Sequence, residues 1–313
     1  MAAPSSSDGV GPPLTVIAGP TASGKSALAL ALAERTGAEI ISADSQQVYR
    51  HFDIGTAKPS AQELAQVPHH LVSVVEPLEP FSAAEFQRRA DEAIRQVRAR
   101  GRPVLVVGGT GLYLRVLLHG VVEAPGALPA LRAELEAVAA AQGRAEVHRR
   151  LAEVDPESAA QLSPNDLVRT VRALEIHAAT GRPASEFRRA HAFTQDRYAY
   201  RLAVLEPPRE ALYATIDART RAMFERGLLE EVEALLARGY ADAAPMRSVG
   251  YVQARAVVEG RLSREQGMAD AAQETRRYAK RQLTWFRKER GARFLAPPFT
   301  PERLEAALAE GAG

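Results

Sequence analysis

The sequence predicts an α/β protein: a P-loop-type parallel sheet core flanked by helices, with an all-helical domain inserted into it. Three observations carry this. A short apolar run, "LTVIAG" (14–19), passes directly into the phosphate-loop pattern Gly19-Pro20-Thr21-Ala22-Ser23-Gly24-Lys25-Ser26. Strand-like and helix-like segments then alternate up to about residue 125, the pattern of parallel strands covered by helices. A run of short helices with no strand candidate follows, before "YRLAVLEPP" (200–208) returns to strand character.

Each element has its own signal. "LTVIAG" is short, apolar and ends in glycine, as a buried strand does. Residues 24–36 carry apolar positions at helical spacing. "AEIISADS" (38–45) is a second strand, expected beside the first so that Asp44 at its end faces the phosphate loop. "SAAEFQRRADEAIRQVRARG" (82–101) is an amphipathic helix that starts at Ser82, has Glu85 three residues on and stops at Gly101, a capping-box start. "RPVLVVGGTG" (102–111) is a third buried strand running into a glycine turn. "YRLAVLEPP" is predicted to rejoin the same sheet, and long helices follow in "PREALYATIDARTRAMFERGLLEEVEALLARG" and "ADAAQETRRYAKRQLTWFRKER". The expected organisation is a disordered tail over 1–13, a core from 14–125 and 194–313, and a helical insertion over 126–193. The tail is rich in Pro, Gly and Ser.

Composition narrows the function classes. With 46% hydrophobic and 25% charged residues among 313, the chain is an ordinary globular protein with a sizeable core. It has no cysteine, which excludes disulfides and thiolate metal sites. Its seven histidines show no metal-ligand spacing, and His69 and His70 in "VPHHL" are expected to be structural. No apolar run approaches the roughly 18 residues of a membrane span, and the start lacks the basic and apolar blocks of a secretion signal. A cytoplasmic, monomeric protein without a membrane partner is expected. The net charge is only +2, so any nucleic-acid footprint has to come from local clustering.

The loop has the residue types that anion binding needs. Gly19 and Gly24 let the backbone curl so that its N–H groups point at phosphate oxygens. The helix that starts near Gly24 turns its positive end to the same anion. Lys25 adds charge, and the Ser26 hydroxyl can bind Mg²⁺. A phosphoryl-transfer enzyme would also need an acidic Mg²⁺ ligand and a lid with arginines. "VLVVGGTG" has glycine and threonine where such a strand would usually end in Asp.

In chain order the sequence also holds "ISADSQQVY" (41–49), "DIGTAKP" (53–59), "PHHL" (68–71), "FSAAEF" (81–86), "GGTGLYL" (108–114), "SPNDLVRTVRALEIHAATGRP" (163–183), "SVGY" (248–251) and "RRYAKRQLTWF" (276–286). With "GPTASGKS" (19–26), these blocks resemble the tRNA dimethylallyltransferases, or tRNA isopentenyltransferases, over nearly the whole chain. The resemblance implies transfer of the dimethylallyl group of dimethylallyl diphosphate to N6 of the adenosine just 3′ of the anticodon in tRNA. Diphosphate is released, and Mg²⁺ is the implied cofactor. On that reading the loop cradles a leaving group, and no phosphoryl group moves. Two other readings remain open here: a small-molecule P-loop kinase, and a non-catalytic, nucleotide-gated RNA-binding module.

The resemblance also implies roles for particular residues. Asp44 is implied as general base; from the residues alone, it could also be a Mg²⁺ ligand or a helix cap. Thr110 is implied to contact the target nucleotide, simple turn chemistry being the alternative. Arg219 is implied to lie near the diphosphate, a solvated helix arginine being the alternative. Gly19, Thr21, Ala22, Ser23, Gly24, Lys25 and Ser26 would hold the donor, with Ser26 on the metal. The implied tRNA contacts begin with Asp44, Ser45, Gln46, Gln47 and Thr110, with no specific pairing carried onto Gln46 or Val252. They continue with Arg132, Arg169 and Arg172 on the insertion, which would grip the anticodon stem, and with Arg247, Gly250 and Tyr251. Arg277, Lys280, Arg281, Gln282, Thr284 and Arg287 complete the set. "RRYAKRQLTWFRKER" has seven basic residues and one acidic one in a nearly neutral chain. On a helix, Arg277, Lys280 or Arg281, Thr284 and Lys288 share a face, which favours a phosphate-binding stripe. Trp285 and Phe286 are open between stacking on a base and packing in the core.

Overall fold

The computed structural model describes residues 11–121, 124–191 and 195–309. The expected tail over 1–13 lies outside the described residues except for its last three positions, and so does the expected boundary at 193–194. Two compact units divide the chain: Met1–Gly120 with Asp196–Gly313, and Val121–Gln195.

The first unit is built on six strands: β1 (Leu14–Ala18), β2 (Glu39–Ser42), β3 (His69–His70), β4 (Val104–Gly108), β5 (Tyr200–Leu205) and β6 (Ala292–Leu295). All pairings are parallel, in the order β3-β2-β4-β1-β5-β6. The strand after the insertion does rejoin the sheet: β5 pairs with β1 from Leu14–Tyr200 to Ala18–Val204. One expectation is corrected. β2 does not lie beside β1, because β4 runs between them. A strand covered on both faces reads as a near-continuous apolar run, and a charge buried in one needs partners. β4, Val-Leu-Val-Val-Gly, is buried at every position, whereas β2 opens with Glu39, held by Arg100 and by His70 of edge strand β3.

Helices α1 (Lys25–Thr36), α2 (Ala61–Gln66), α3 (Ala83–Ala99) and α4 (Gly111–His119) belong to the first half of this unit. Ser82 caps α3, its Oγ accepting from the Glu85 N–H at 3.1 Å, but the Glu85 carboxylate turns to Arg88 and Arg89 and does not complete a capping box. Its apolar positions Phe86, Ala90, Ile94 and Val97 recur at helical spacing and are buried. The Phe86 ring stacks on Tyr113 of α4 at 4.3 Å between centroids. Truncating such a ring to alanine costs about 3–5 kcal/mol.

The second unit consists of α5 (Pro129–Gln142), α6 (Arg144–Val154), α7 (Pro156–Gln161), α8 (Leu167–Thr180) and α9 (Ala184–His191). Leu135, Val147 and Val171 form one of its small cores. Glu175, wholly buried, is matched by Arg132 at 2.8 Å and by the Leu128 N–H at 3.1 Å. The first unit then resumes with α10 (Arg209–Glu225), α11 (Leu228–Ala237), α12 (Tyr251–Val258), α13 (Arg264–Phe286) and α14 (Pro301–Ala309). Gly227, at φ +101°, separates α10 from α11; a side chain is strained there. Among the described residues no helix is long and apolar enough to cross a membrane.

Candidate active site

The phosphate loop leaves β1 and enters α1 with Ala22 at φ +65° and Gly24 at φ +86°. The turn is closed by the Ser23 N–H donating to Pro20 O at 3.2 Å. α1 has no acidic residue in its first turn, so its positive end is left for a ligand. The Ser23 hydroxyl is buried with no hydrogen-bond partner. Lys25 Nζ folds back over the loop and donates to Pro20 O at 3.2 Å.

The glycines after β4 are explained by close approach. A Cβ on Gly108 would lie 2.1 Å from Ala43 O, and one on Gly109 would lie 2.5 Å from Gln282 Nε2. The segments that follow β2 and β4 therefore run in contact. The Ala43 N–H donates to Val107 O at 2.8 Å, and the Ser45 N–H donates to Thr110 Oγ1 at 3.0 Å. Buried Gln282 of α13 joins this pair of strand ends to the loop. Its Oε1 accepts from the Thr21 N–H at 2.9 Å and its Nε2 donates to Gly109 O at 2.8 Å.

Asp44, Lys25 and Arg219 converge here. Asp44 Oδ1 accepts from the Gln46 N–H at 2.8 Å and the Gln47 N–H at 3.3 Å. Arg219, from α10, hydrogen-bonds Thr21 Oγ1 of the loop. Burial pulls the Lys25 ammonium down to about 8; the Asp44 charge opposes this and the Arg219 charge adds to it. Burial also lowers Arg219, again against Asp44. Tyr278 is pushed up to about 12, first by burial, then by Asp44, with Arg281 opposing. Two cations and one carboxylate thus share a partly desolvated space, where charge–charge interactions are stronger than in water.

A cleft of about 350 Å³ opens beside Asp44, Arg219 and Tyr278. Thr21, Asp44, Ser45, Gln46 and Arg219 line it, and so do Arg247 and Gly250. Sequence reasoning missed the rest of its wall: Gly55–Ala57, Met223, Phe224, Ser248 and Tyr278 among others. Gly55–Ala57, Ser248 and Tyr278 had only membership of blocks such as "DIGTAKP" and "SVGY", which says nothing about contact, and Met223 and Phe224 lie in none of them.

The other expected tRNA residues are scattered. Arg277, Lys280, Arg281, Thr284 and Arg287 are exposed on α13 or at its end. Arg277 pairs with Glu274 and Arg287 with Glu206, while Lys280, Arg281 and Lys288 have no acidic partner among the described residues. Two expected contacts are taken up elsewhere: Gln282 as above, and Tyr251, whose ring is wholly buried and whose hydroxyl donates to Glu231. Phe286 is core, and Trp285 lies under the Arg115 guanidinium, 4.3 Å from its ring centroid. In the second unit Arg132 is committed to Glu175. Arg172 donates to Pro125 O at 2.6 Å, and Arg169 is exposed beside Asp166. His69 and His70 are structural: His70 Nε2 sits 2.7 Å from Glu39 and His69 Nδ1 2.7 Å from Val67 O.

Comparison with known proteins gives consistent matches. A family model described as IPP transferase matches residues 47–289. The tRNA dimethylallyltransferase of Myxococcus xanthus (strain DK1622) is 74% identical over 300 residues, 96% of each chain. That of Anaeromyxobacter dehalogenans (strain 2CP-C) is 58% identical over 292 residues, 93% of this chain and 97% of its own. Among solved structures, the full-length tRNA isopentenylpyrophosphate transferase of Bacillus halodurans matches with a TM-score of 0.68 at 36% identity, over 95% of this chain and 97% of that one. A eukaryotic dimethylallyltransferase acting on tRNA matches with a TM-score of 0.77 at 28% identity, over 95% of this chain and 76% of that one.

Proposed function

Since this chain belongs to the IPP transferase family, we propose that it transfers the dimethylallyl group of dimethylallyl diphosphate to N6 of the adenosine 3′-adjacent to the anticodon in tRNA. The observation that carries the reading is the convergence of Asp44, Lys25 and Arg219 beside a strand that ends in Gly-Gly-Thr. A phosphoryl-transfer site would offer an acidic metal ligand at that strand end.

In this reaction the C1–O bond of the donor breaks, the bonding pair leaves with diphosphate, and N6 forms the new bond to C1. Lys25, Arg219 and the loop N–H groups stabilise the charge that grows on the leaving oxygens. An aromatic amine is a weak nucleophile, because its lone pair is delocalised into the ring. Asp44 accepts the N6 proton as the bond forms; Oδ1 is held by the Gln46 and Gln47 N–H groups, which leaves Oδ2 for the proton. Thr110, fixed by the Ser45 N–H, orients the base.

Mg²⁺ fits these residues. Ser26 is exposed at the second position of α1, directly after Lys25 of the phosphate loop. A single hydroxyl beside a diphosphate suits a cation that keeps its waters and substrate oxygens and is not enclosed by protein ligands. When bound, Mg²⁺ supplies further positive charge to the diphosphate.

The exposed stripe of Arg277, Lys280, Arg281 and Arg287 holds RNA phosphates, with Arg247 at the cleft. The second unit grips the anticodon stem through Arg169, with Arg132 and Arg172 shaping its surface. The protein acts as a cytoplasmic monomer.

The test is incubation with dimethylallyl diphosphate and unmodified tRNA, followed by nucleoside mass analysis. Isopentenyladenosine with matching diphosphate is expected. ADP formation from ATP without modified nucleoside would overturn the reading in favour of a kinase.

A further inference from the structure

Glu231 lies in the first turn of α11, where a glutamate is ordinarily solvated. Here its carboxylate is saturated by donors from two separate segments. Oε2 accepts from the Asp53 N–H at 3.1 Å and the Ile54 N–H at 2.8 Å. Oε1 accepts from the Gly55 N–H at 3.4 Å and from the Tyr251 hydroxyl. Two carboxylate oxygens have about four acceptor sites, and all are used. The fit is close: a Cβ on Gly55 would lie 2.5 Å from the Tyr251 ring.

Both segments are walls of the cleft. Gly55, Thr56 and Ala57 line one side, and Ser248, Val249 and Gly250, immediately before Tyr251, line another. The first wall continues to the catalytic carboxylate. Thr56 O and Ala57 O accept from Gln47 Nε2 at 3.3 and 3.0 Å, Gln47 Oε1 accepts from Ser42 Oγ at 3.1 Å, and the Gln47 N–H donates to Asp44. One half-buried carboxylate on α11 thus joins two cleft walls and, through Gln47, the group that takes the N6 proton.

We infer that Glu231 is a positioning residue for the acceptor nucleoside: it fixes the two walls that receive the base and sets the attitude of Asp44, an inference that rests on the prenyl-transfer reading above. It does not touch the donor, because the phosphate loop is held separately by Gln282 and Arg219.

Glu231→Gln tests this at constant volume. The amide keeps one acceptor and turns an NH₂ group toward backbone N–H donors. The expected enzyme is folded, binds inorganic diphosphate within about twofold of wild type, and transfers the prenyl group to saturating unmodified tRNA roughly ten- to a hundredfold more slowly in a single turnover, the scale of a displacement of about 1 Å. Combining it with Gln47→Ala should add little, because both changes break one connection. A normal transfer rate in folded Glu231→Gln overturns the inference, and so do losses that simply multiply. If Glu231→Gln fails to fold, Tyr251→Phe removes one of the four donors. Slower transfer with unchanged diphosphate binding supports the inference, and an unchanged rate overturns it. Hydrogen exchange reads the connection without the chemistry. Faster exchange of the Gln46 and Gln47 amides in Glu231→Gln supports it and unchanged protection overturns it, even if wild type modifies no tRNA and the functional reading fails.

Discussion

Gln282→Met isolates the tie between the phosphate loop and the end of β4. The two side chains are similar in volume, so the packing term is small, under about 1.5 kcal/mol. The loss comes from two hydrogen bonds, at 2.9 Å from the Thr21 N–H and at 2.8 Å to Gly109 O. Gly109 is buried, so its carbonyl is left without a partner, at a cost of about 1–3 kcal/mol. Thr21 is half-buried and water can replace part of its bond, which leaves about 0.5–1.5 kcal/mol. The two together cost about 1.5–4.5 kcal/mol. The chain's single tryptophan, Trp285, lies on the same helix, so its fluorescence during urea unfolding reports on this region. With a typical urea slope of about 1–3 kcal/mol per molar, the midpoint should fall by about 0.5 M or more. A midpoint within about 0.2 M of wild type would show that neither hydrogen bond contributes as argued.

Asp44→Ala should keep diphosphate and tRNA binding and lose roughly 10²–10⁴ in turnover; turnover near wild type would remove Asp44 from the chemistry. Because Lys25 titrates at about 8 in the folded protein, inorganic diphosphate affinity should decline as pH rises through 8; Lys25→Arg should show no such break, and a flat wild-type profile contradicts the assignment. The same shift fixes a stability trend. Between about 8 and the ordinary lysine value of 10.5 the unfolded chain holds the extra proton, so this group makes stability rise with pH over that window, measurable as wild type minus Lys25→Met. Lys280→Ala should lower the log–log salt slope of tRNA binding by roughly 0.7–0.9, equally for substrate and non-substrate tRNAs; parallel slopes would return Lys280 to an ordinary solvated lysine.

The parts of the site legible in the sequence are those whose residue types answer to local geometry. A loop that needs φ near +86° at Gly24 and a lysine just after it announces itself, and so does a strand buried at every position, such as β4. The roles of Asp44, Thr110 and Arg219 were legible only through resemblance. Arg219 looks like any helix arginine until Thr21, nearly two hundred residues earlier, is placed against it. The order of strands was misread because chain order says nothing about which strand fills the gap a crossover leaves. β3 and β6 were missed because they are short, incompletely buried edge strands. Glu231 and the bridging bonds of Gln282 had no signal, because each exists only through contacts between segments far apart in sequence.

The placement of the second unit has a consequence for synthesis. β1 needs β4 on one edge and β5 on the other, and those partners lie on either side of the Val121–Gln195 segment. Where the chain leaves for that segment and returns, His119 meets Asp196 at 2.8 Å and the Arg197 N–H donates to Leu118 O at 2.7 Å. A ribosome therefore delivers the contiguous helical unit whole while β1 still has one edge bare. The phosphate loop can be stitched to Gln282, 261 residues beyond Thr21, only after α13 has emerged. The catalytic unit thus matures after the helical unit has been made, although its most recognisable motif is made before it.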